Sequence, residues 1–236
     1  MFQQISNSTW LKGTLLTVTG CVLAFGALAN EAAKTGVVNN CSNADFQQVS
    51  SNLYEVYRND KKIGDHRIDF AKSGDHYQIQ AITKMRVKLL FITAFRYDYR
   101  SVETWCDGQL FSVTTNVDDD GKITKTKAVL GETGYQVSVD ETSSVITQSI
   151  MTTNHWNDGA MQQSALFNTI TGKLNSIDIN QLQRSDLREY DMQGDLNITT
   201  RYDQLGNWQG MIFKHTDGST IEFRCVSCNN TPENLL

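Results

Sequence analysis

FRYDYRSVETW, residues 95–105, is the stretch whose reading decides the fold. Phe95, Tyr97 and Tyr99 alternate with Arg96, Asp98 and Arg100, and Ser101, Glu103 and Trp105 continue the face that the aromatics begin. Period-2 alternation sends successive side chains to opposite faces of a strand, so one face here is apolar and the other wet. The pattern recurs on both sides of this stretch. Tyr77, Ile79, Ala81, Met85 and Val87 alternate with Gln78, Gln80, Lys84 and Arg86; Tyr135, Val137 and Val139 alternate with Gln136, Ser138 and Asp140; Leu196, Ile198 and Tyr202 alternate with Asn197, Thr199 and Arg201.

Turn signals separate these runs at short spacing: Asn59-Asp60, Asp107-Gly108, Asp118-Asp119-Asp120-Gly121 and Asp217-Gly218 among them. Asp-Gly supplies the positive φ that tight hairpins require, and strands joined by hairpins form an antiparallel meander. The three consecutive acids before Gly121 read as a hairpin tip, since a calcium loop needs acids at alternating positions and a terminal Glu. Lys122, Lys125 and Lys127 belong to the wet face that follows, with no interleaved aromatics to make a nucleic-acid platform. The expected fold is all-β, mainly an antiparallel meander of about ten strands, folded as one open or closed β-barrel or β-clam with one short helical crossover.

Two stretches break the meander and are candidates for plug, lid or crossover. KLLFITA, residues 88–94, is apolar on both faces; DGAMQQSALF, residues 158–167, places Met161 and Ala165 at helical spacing. Just before the second, and after the seventh expected strand, stands NHWNDG, residues 154–159.

The N-terminus reads as a secretion signal. Lys12 is the single charge of residues 1–29, residues 13–29 form an apolar run too short to span a bilayer comfortably, and Ala27-Leu28-Ala29 supplies the small-x-small pattern before Asn30. VTGC at residues 18–21 offers the alternative of a lipoprotein box with lipid on Cys21, although the apolar run continues beyond it. The expected layout is a signal peptide at 1–29, an extension at 30–51, one β-rich domain at 52–228 and a polar tail at 229–236. Cleavage would remove one basic residue and no acid from a chain that already has 26 acidic against 21 basic residues. That balance argues against nucleic acid or an anionic lipid surface as a general partner. Membrane contact is then expected only through the signal peptide or lipid at Cys21, the location is periplasmic, and no oligomeric state is implied.

Cys41, Cys106, Cys225 and Cys228 remain after cleavage, an even number suited to disulfides in an oxidising compartment. Cys225-Val-Ser-Cys228 also has the spacing of a thiol redox pair, but no helix start precedes it to lower a thiol pKa, so a structural bridge is the better reading.

YEVYRNDKKIGDHRIDF (residues 54–70), LLFITAFRYDYRSVETWCDGQL (89–110), NHWN (154–157), LFNTITGKL (166–174) and GDLNITTRYDQLGNWQGMIFKHTDGSTIEF (194–223) occur in this order. Together they resemble an uncharacterised domain-of-unknown-function family of secreted bacterial proteins, over roughly residues 52–225. The resemblance implies a periplasmic β-rich domain comparable in shape to the open barrels that carry lipoproteins or polyisoprenoids. This chain has Asn59-Asp60 where the family's first hairpin has Asn-Gly.

Three residues carry the candidate chemistry. His155, between Asn154 and Trp156, could act as a general base; the plainer reading is a corner in which Asn154 and Asn157 cap chain ends and Trp156 anchors the loop. His66 shares the apolar side of its strand with Ile68 and Phe70, and with Glu103 it could form a polar spot inside an apolar cavity. No Gly-x-Ser-x-Gly elbow, metal-ligand spacing or cofactor motif accompanies them. The expected function is therefore a non-catalytic periplasmic binding or carrier protein for an apolar, lipid-like small molecule inside the barrel. The expected ligand contacts are His66, Tyr97, Tyr99, Glu103, Trp105, Asn154, His155 and Trp156. The alternatives are a hydrolase or isomerase using His155 or His66 with a carboxylate such as Glu103, and an envelope structural protein.

Overall fold

The alternating stretches form strands, and the strands form one sheet. A computed structural model describes residues 41, 44–89, 92–182 and 186–232, without the side chains of 88–94. The expected signal peptide, Cys21 and most of the expected extension at 30–51 lie outside the described residues. In chain order the strands are β1 (Gln47–Arg58), β2 (Lys61–Ser73), β3 (His76–Leu89), β4 (Ile92–Cys106), β5 (Gln109–Asp119), β6 (Lys122–Gly131), β7 (Gly134–Val139), β8 (Thr142–Ile146), β9 (Ala165–Phe167), β10 (Leu174–Leu182), β11 (Arg188–Gly194), β12 (Ile198–Tyr202), β13 (Trp208–Lys214) and β14 (Thr220–Ser227). β1 therefore begins ahead of the expected domain start at residue 52.

All strand pairs are antiparallel, and the order across the sheet is β8-β7-β6-β5-β4-β3-β2-β1-β14-β13-β12-β11-β10-β9. Two meanders thus join where the first strand meets the last. Turn chemistry explains the hairpins: Asn59 and Asp60 both take positive φ (47° and 62°), as do Asp107 and Gly108 (51° and 74°), the geometry whose twist matches paired strands. Asp60, which stands where glycine would be easier, is held by an ion pair to Arg224 at 2.6 Å.

β8 and β9 do not pair with each other, so the barrel is open; the chain between them turns inward and fills the gap. Residues 150–153 lie along β9, with a parallel bridge from Thr152 to Phe167 and a Phe167 N–H bond to the Met151 carbonyl at 2.7 Å. The β9–β10 loop then crosses to the far side of the sheet. Thr126 Oγ1 of β6 donates to the Ile170 carbonyl at 2.7 Å, and a methyl group on Gly172 would lie 2.4 Å from Val139 Cγ2 of β7, so that loop rests directly on the inner face. The structure thus makes the segment around NHWN a plug. Its helical part is shorter than expected: a 3₁₀ turn at Asp158–Gln162, capped by Asn157 Oδ1 accepting from Gly159 N–H at 2.8 Å, gives way to β9, where strand pairing overrides the helical spacing of Met161 and Ala165. KLLFITA supplies the end of β3 and the start of β4; Leu90, Phe91 and the side chains of 88–94 lie outside those described.

The inner face buries Tyr54, Val56, Ile68, Phe70, Ile79, Tyr97, Tyr99, Trp105, Trp156, Trp208, Tyr202 and Phe223 almost completely, each large side chain contributing about 1.5–3 kcal/mol. Cys41 bridges to Cys106 at the end of β4, and Cys225 to Cys228 just after β14. Residues 229–232 fold back: Asn230 N–H donates to Asn52 Oδ1 at 3.0 Å, and Asn52 Nδ2 donates to Thr231 Oγ1 at 3.1 Å.

Candidate functional site

Alternation along β4 points Glu103 inward, where it is fully buried. A buried carboxylate is tolerated only if its oxygens are hydrogen-bonded, and here donors from two parts of the chain converge on it. Trp105 Nε1, two residues along β4, and Trp156 Nε1, from the plug, each donate to Oε2 at 2.8 Å. Thr152 Oγ1 and Asn154 Nδ2 donate to Oε1. Four donors match the roughly four lone-pair sites a carboxylate offers, so no acceptor capacity is left over.

The network extends upward from Glu103. Asn154 Oδ1 accepts from Tyr99 Oη at 2.6 Å, Tyr99 Oη shares a bond with Thr169 Oγ1 at 2.8 Å, and Thr115 Oγ1 donates to Ser101 Oγ at 3.0 Å. Burial pushes the Tyr99 phenol up to about 12. Trp156 meets Trp105 edge-to-face, with ring centroids 5.4 Å apart and planes at 88°, and lies against Phe70 in the same manner at 6.2 Å. Of the expected ligand contacts, Tyr99, Glu103, Trp105, Asn154 and Trp156 are therefore brought together, but bonded to one another. Tyr97 is buried one inward position further along β4.

His66 does not join Glu103, contrary to the expected polar pair. Register places His66 of β2 opposite Thr83 of β3, and Thr83 opposite Tyr99 of β4, so Glu103 lies two inward positions away along β4. His66 Nδ1 instead bonds Thr83 Oγ1 at 2.8 Å, while its Nε2 is buried with no hydrogen-bond partner. His155 has φ of 59°, a left-handed value uncommon outside Gly, and its ring lies against Trp208. The two rings stack with centroids 5.9 Å apart and planes at 17°, and His155 Nδ1 is also buried and unpartnered.

Trp208 of β13 is the common wall of the two imidazoles. His66 meets it edge-on at 5.6 Å, and also contacts Tyr54 at 5.6 Å and Phe223 at 5.4 Å. Trp208 is itself fixed: its Nε1 donates to Thr200 Oγ1 at 2.9 Å, and its carbonyl accepts from Tyr54 Oη at 2.9 Å. Gly210 follows with φ of 129°, and any Cβ there would meet the Phe223 carbonyl at 2.1 Å, so only glycine lets β13 approach β14 this closely. Burial pushes both histidines down to about 3, with the neighbouring His155 adding to the effect at His66, so both imidazoles are neutral at ordinary pH.

Trp208, Tyr54, Phe223, Thr83 and Thr152 were not among the expected site residues. The one local signal was the Trp of LGNWQG at residues 205–210; the others look like ordinary inner-face or loop residues until register is known. As a base, either histidine would need access as well as a partner. His66 has a hydroxyl at hydrogen-bond distance, yet His66 is 2% and His155 4% exposed, so neither meets a substrate from solvent.

An open antiparallel sheet with a built-in plug, a saturated buried carboxylate and two neutral, under-bonded histidines defines a β-barrel-like domain. The chain belongs to the family described as Domain of unknown function (DUF6134), whose model matches residues 54–226. In fold it is similar to the crystal structure of a beta-barrel-like protein of Domain of Unknown Function DUF1849 from Brucella abortus, with a TM-score of 0.53, 9% identity, and coverage of 77% of this chain and 97% of that one. No curated protein matches the chain.

Proposed function

We propose that the protein is a non-catalytic periplasmic binding or carrier protein whose ligand is apolar and lipid-like. The observation that supports this is the apolar inner face of an open sheet: Val56, Ile68, Phe70, Ile79, Met85 and Phe223 are buried on it, with partly buried Ile63, Phe95, Val139 and Ile179 packed against them. At the end of the Glu103 network the plug is bonded in place. An apolar interior anchored in this way suits a lipid-like chain.

A separate hollow lies on the outer face of β3–β6, where Ile82 and Ile123 stand among Lys84, Arg86, Asp98, Arg100 and Asp118, beside the Arg86–Asp98 and Arg96–Asp118 ion pairs. The envelope-structural alternative has one observation of its own: Val49, Leu53 and Val226 are exposed near the β1–β14 junction. The test is native mass spectrometry of the full chain isolated from its own envelope without denaturation. A bound lipid mass that Phe95→Glu removes is expected; ligand-free protein that takes up no lipid when refolded with a total lipid extract would overturn the proposal.

A further inference from the structure

The unpartnered nitrogens of His66 and His155 require an explanation. A buried polar atom without a hydrogen bond costs on the order of 1–3 kcal/mol, and native proteins keep few of them. Here two lie against one indole, on rings fixed by aromatic contacts and, at His66, by Thr83. Their place in the barrel is equally specific. Register puts His66, Thr83, Tyr99 and Val117 on one level across β2–β5, with Gly64, Met85 and Tyr97 on the next level toward the β1–β2 and β5–β6 turns and Glu103 two inward positions toward the plug. A chain lying along the inner face from those turns would bring its leading group to this level.

We infer that His66 and His155 form a head-group site that takes the neutral, hydroxyl-bearing end of a lipid alcohol. This rests on the carrier reading above. The chemistry of the interior selects among head groups. Among the described residues no Lys or Arg is buried, so a carboxylate or phosphate would enter with no countercharge. An ammonium group would find the acceptors of Glu103 already taken by Trp105, Trp156, Thr152 and Asn154. A neutral imidazole nitrogen accepts in one tautomer and donates in the other, and a hydroxyl does both, so one alcohol can satisfy either arrangement. Trp208, Phe223 and Tyr54 surround His66 with aromatic rings, against which the first carbons of the chain would lie.

The full-length protein, stripped of lipid, should be titrated with 1-hexadecanol, palmitate and hexadecyl methyl ether, which share a chain and differ in the head group. The fluorescence of Trp208 and its neighbours reports binding. Hexadecanol should bind at least about tenfold more tightly than either of the others, a margin that one or two buried hydrogen bonds supply. The double variant His66→Phe/Thr83→Val, which replaces both partners of the existing bond by apolar groups, should lower hexadecanol to the level of the ether. His155→Asn, which tolerates the left-handed backbone, should do so in part. Equal binding of all three probes, with no change in the variants, would overturn the head-group site while leaving the carrier reading intact, the nitrogens then being served by buried water. Preference for palmitate would overturn it as well. If no probe binds, the carrier reading falls, and this inference with it.

Discussion

Two buried polar centres lie within the same barrel, and they differ in how fully they are bonded. Around Glu103 every acceptor position is filled by Trp105, Thr152, Asn154 or Trp156. Around Trp208, His66 and His155 each keep a nitrogen that bonds to nothing in the protein. A saturated centre holds the plug and has nothing left to offer a ligand; an unsaturated one costs stability that a ligand could return. The carboxylate, which invites a catalytic role on chemical grounds, is therefore the structural element, and the neutral histidines are the binding element of the proposed site.

Acid breaks this contrast most severely, because it acts on the unsaturated centre. Both histidines have folded pKa values of about 3, against about 6.5 unfolded, so below pH 6.5 the unfolded chain binds protons that the folded chain refuses. Their contribution to stability is complete above pH 6.5 and is lost progressively as the pH falls toward 3. Two such groups at about 1.4 kcal/mol per pH unit each remove about 5 kcal/mol by pH 4.5. Chemical denaturation at pH 7.5 and pH 4.5, with wild type beside His66→Phe/Thr83→Val, should show a clearly smaller acid loss in the variant; an equal loss would mean that His66 is not the group being charged.

The next largest effect belongs to the saturated centre. Glu103→Gln keeps the shape but turns an amide NH₂ toward two donors, and stranding two buried donors should cost about 3–5 kcal/mol. Urea unfolding measures this, and a cost below about 1 kcal/mol would show that the carboxylate is not what anchors the plug. Trp156→Phe removes one of the four bonds and part of a ring, with an expected loss of about 2 kcal/mol in the same assay. At the small end, Asp60→Gly relieves a left-handed aspartate but gives up the exposed ion pair to Arg224, so the midpoint should move by no more than about 0.5 kcal/mol either way.

The sequence made the strands legible because period-2 alternation maps directly onto them. Phe95–Trp105 identified β4, its buried face and the inward position of Glu103, and the Asp-Gly and Asn-Asp pairs marked the hairpins. Register was not legible, since neither strand alone states which residue faces which. His66 and Glu103 both point inward, and only the pairing His66–Thr83–Tyr99 separates them. The partners of Glu103 were hidden for a related reason: Thr152, Asn154 and Trp156 lie on a plug with no periodicity, brought to β4 by the β9 pairing and the open edge of the barrel. Met161 and Ala165 had helical spacing, but a segment this short follows whichever partner it meets, and β9 found β10. Trp208 went unread because Gly210 and the bulge at Gln209 interrupt the alternation of β13.

On this proposal the interior has one centre filled by the protein and another left for a ligand. The direct measurement is a crystal structure of the protein isolated from its native source without unfolding. Continuous elongated density should begin between His66 and His155 against Trp208 and run toward Phe95 and Ile63, while Glu103 keeps its four bonds. Discrete waters alone on the two histidine nitrogens, with side chains closed over the path to Phe95, would contradict it.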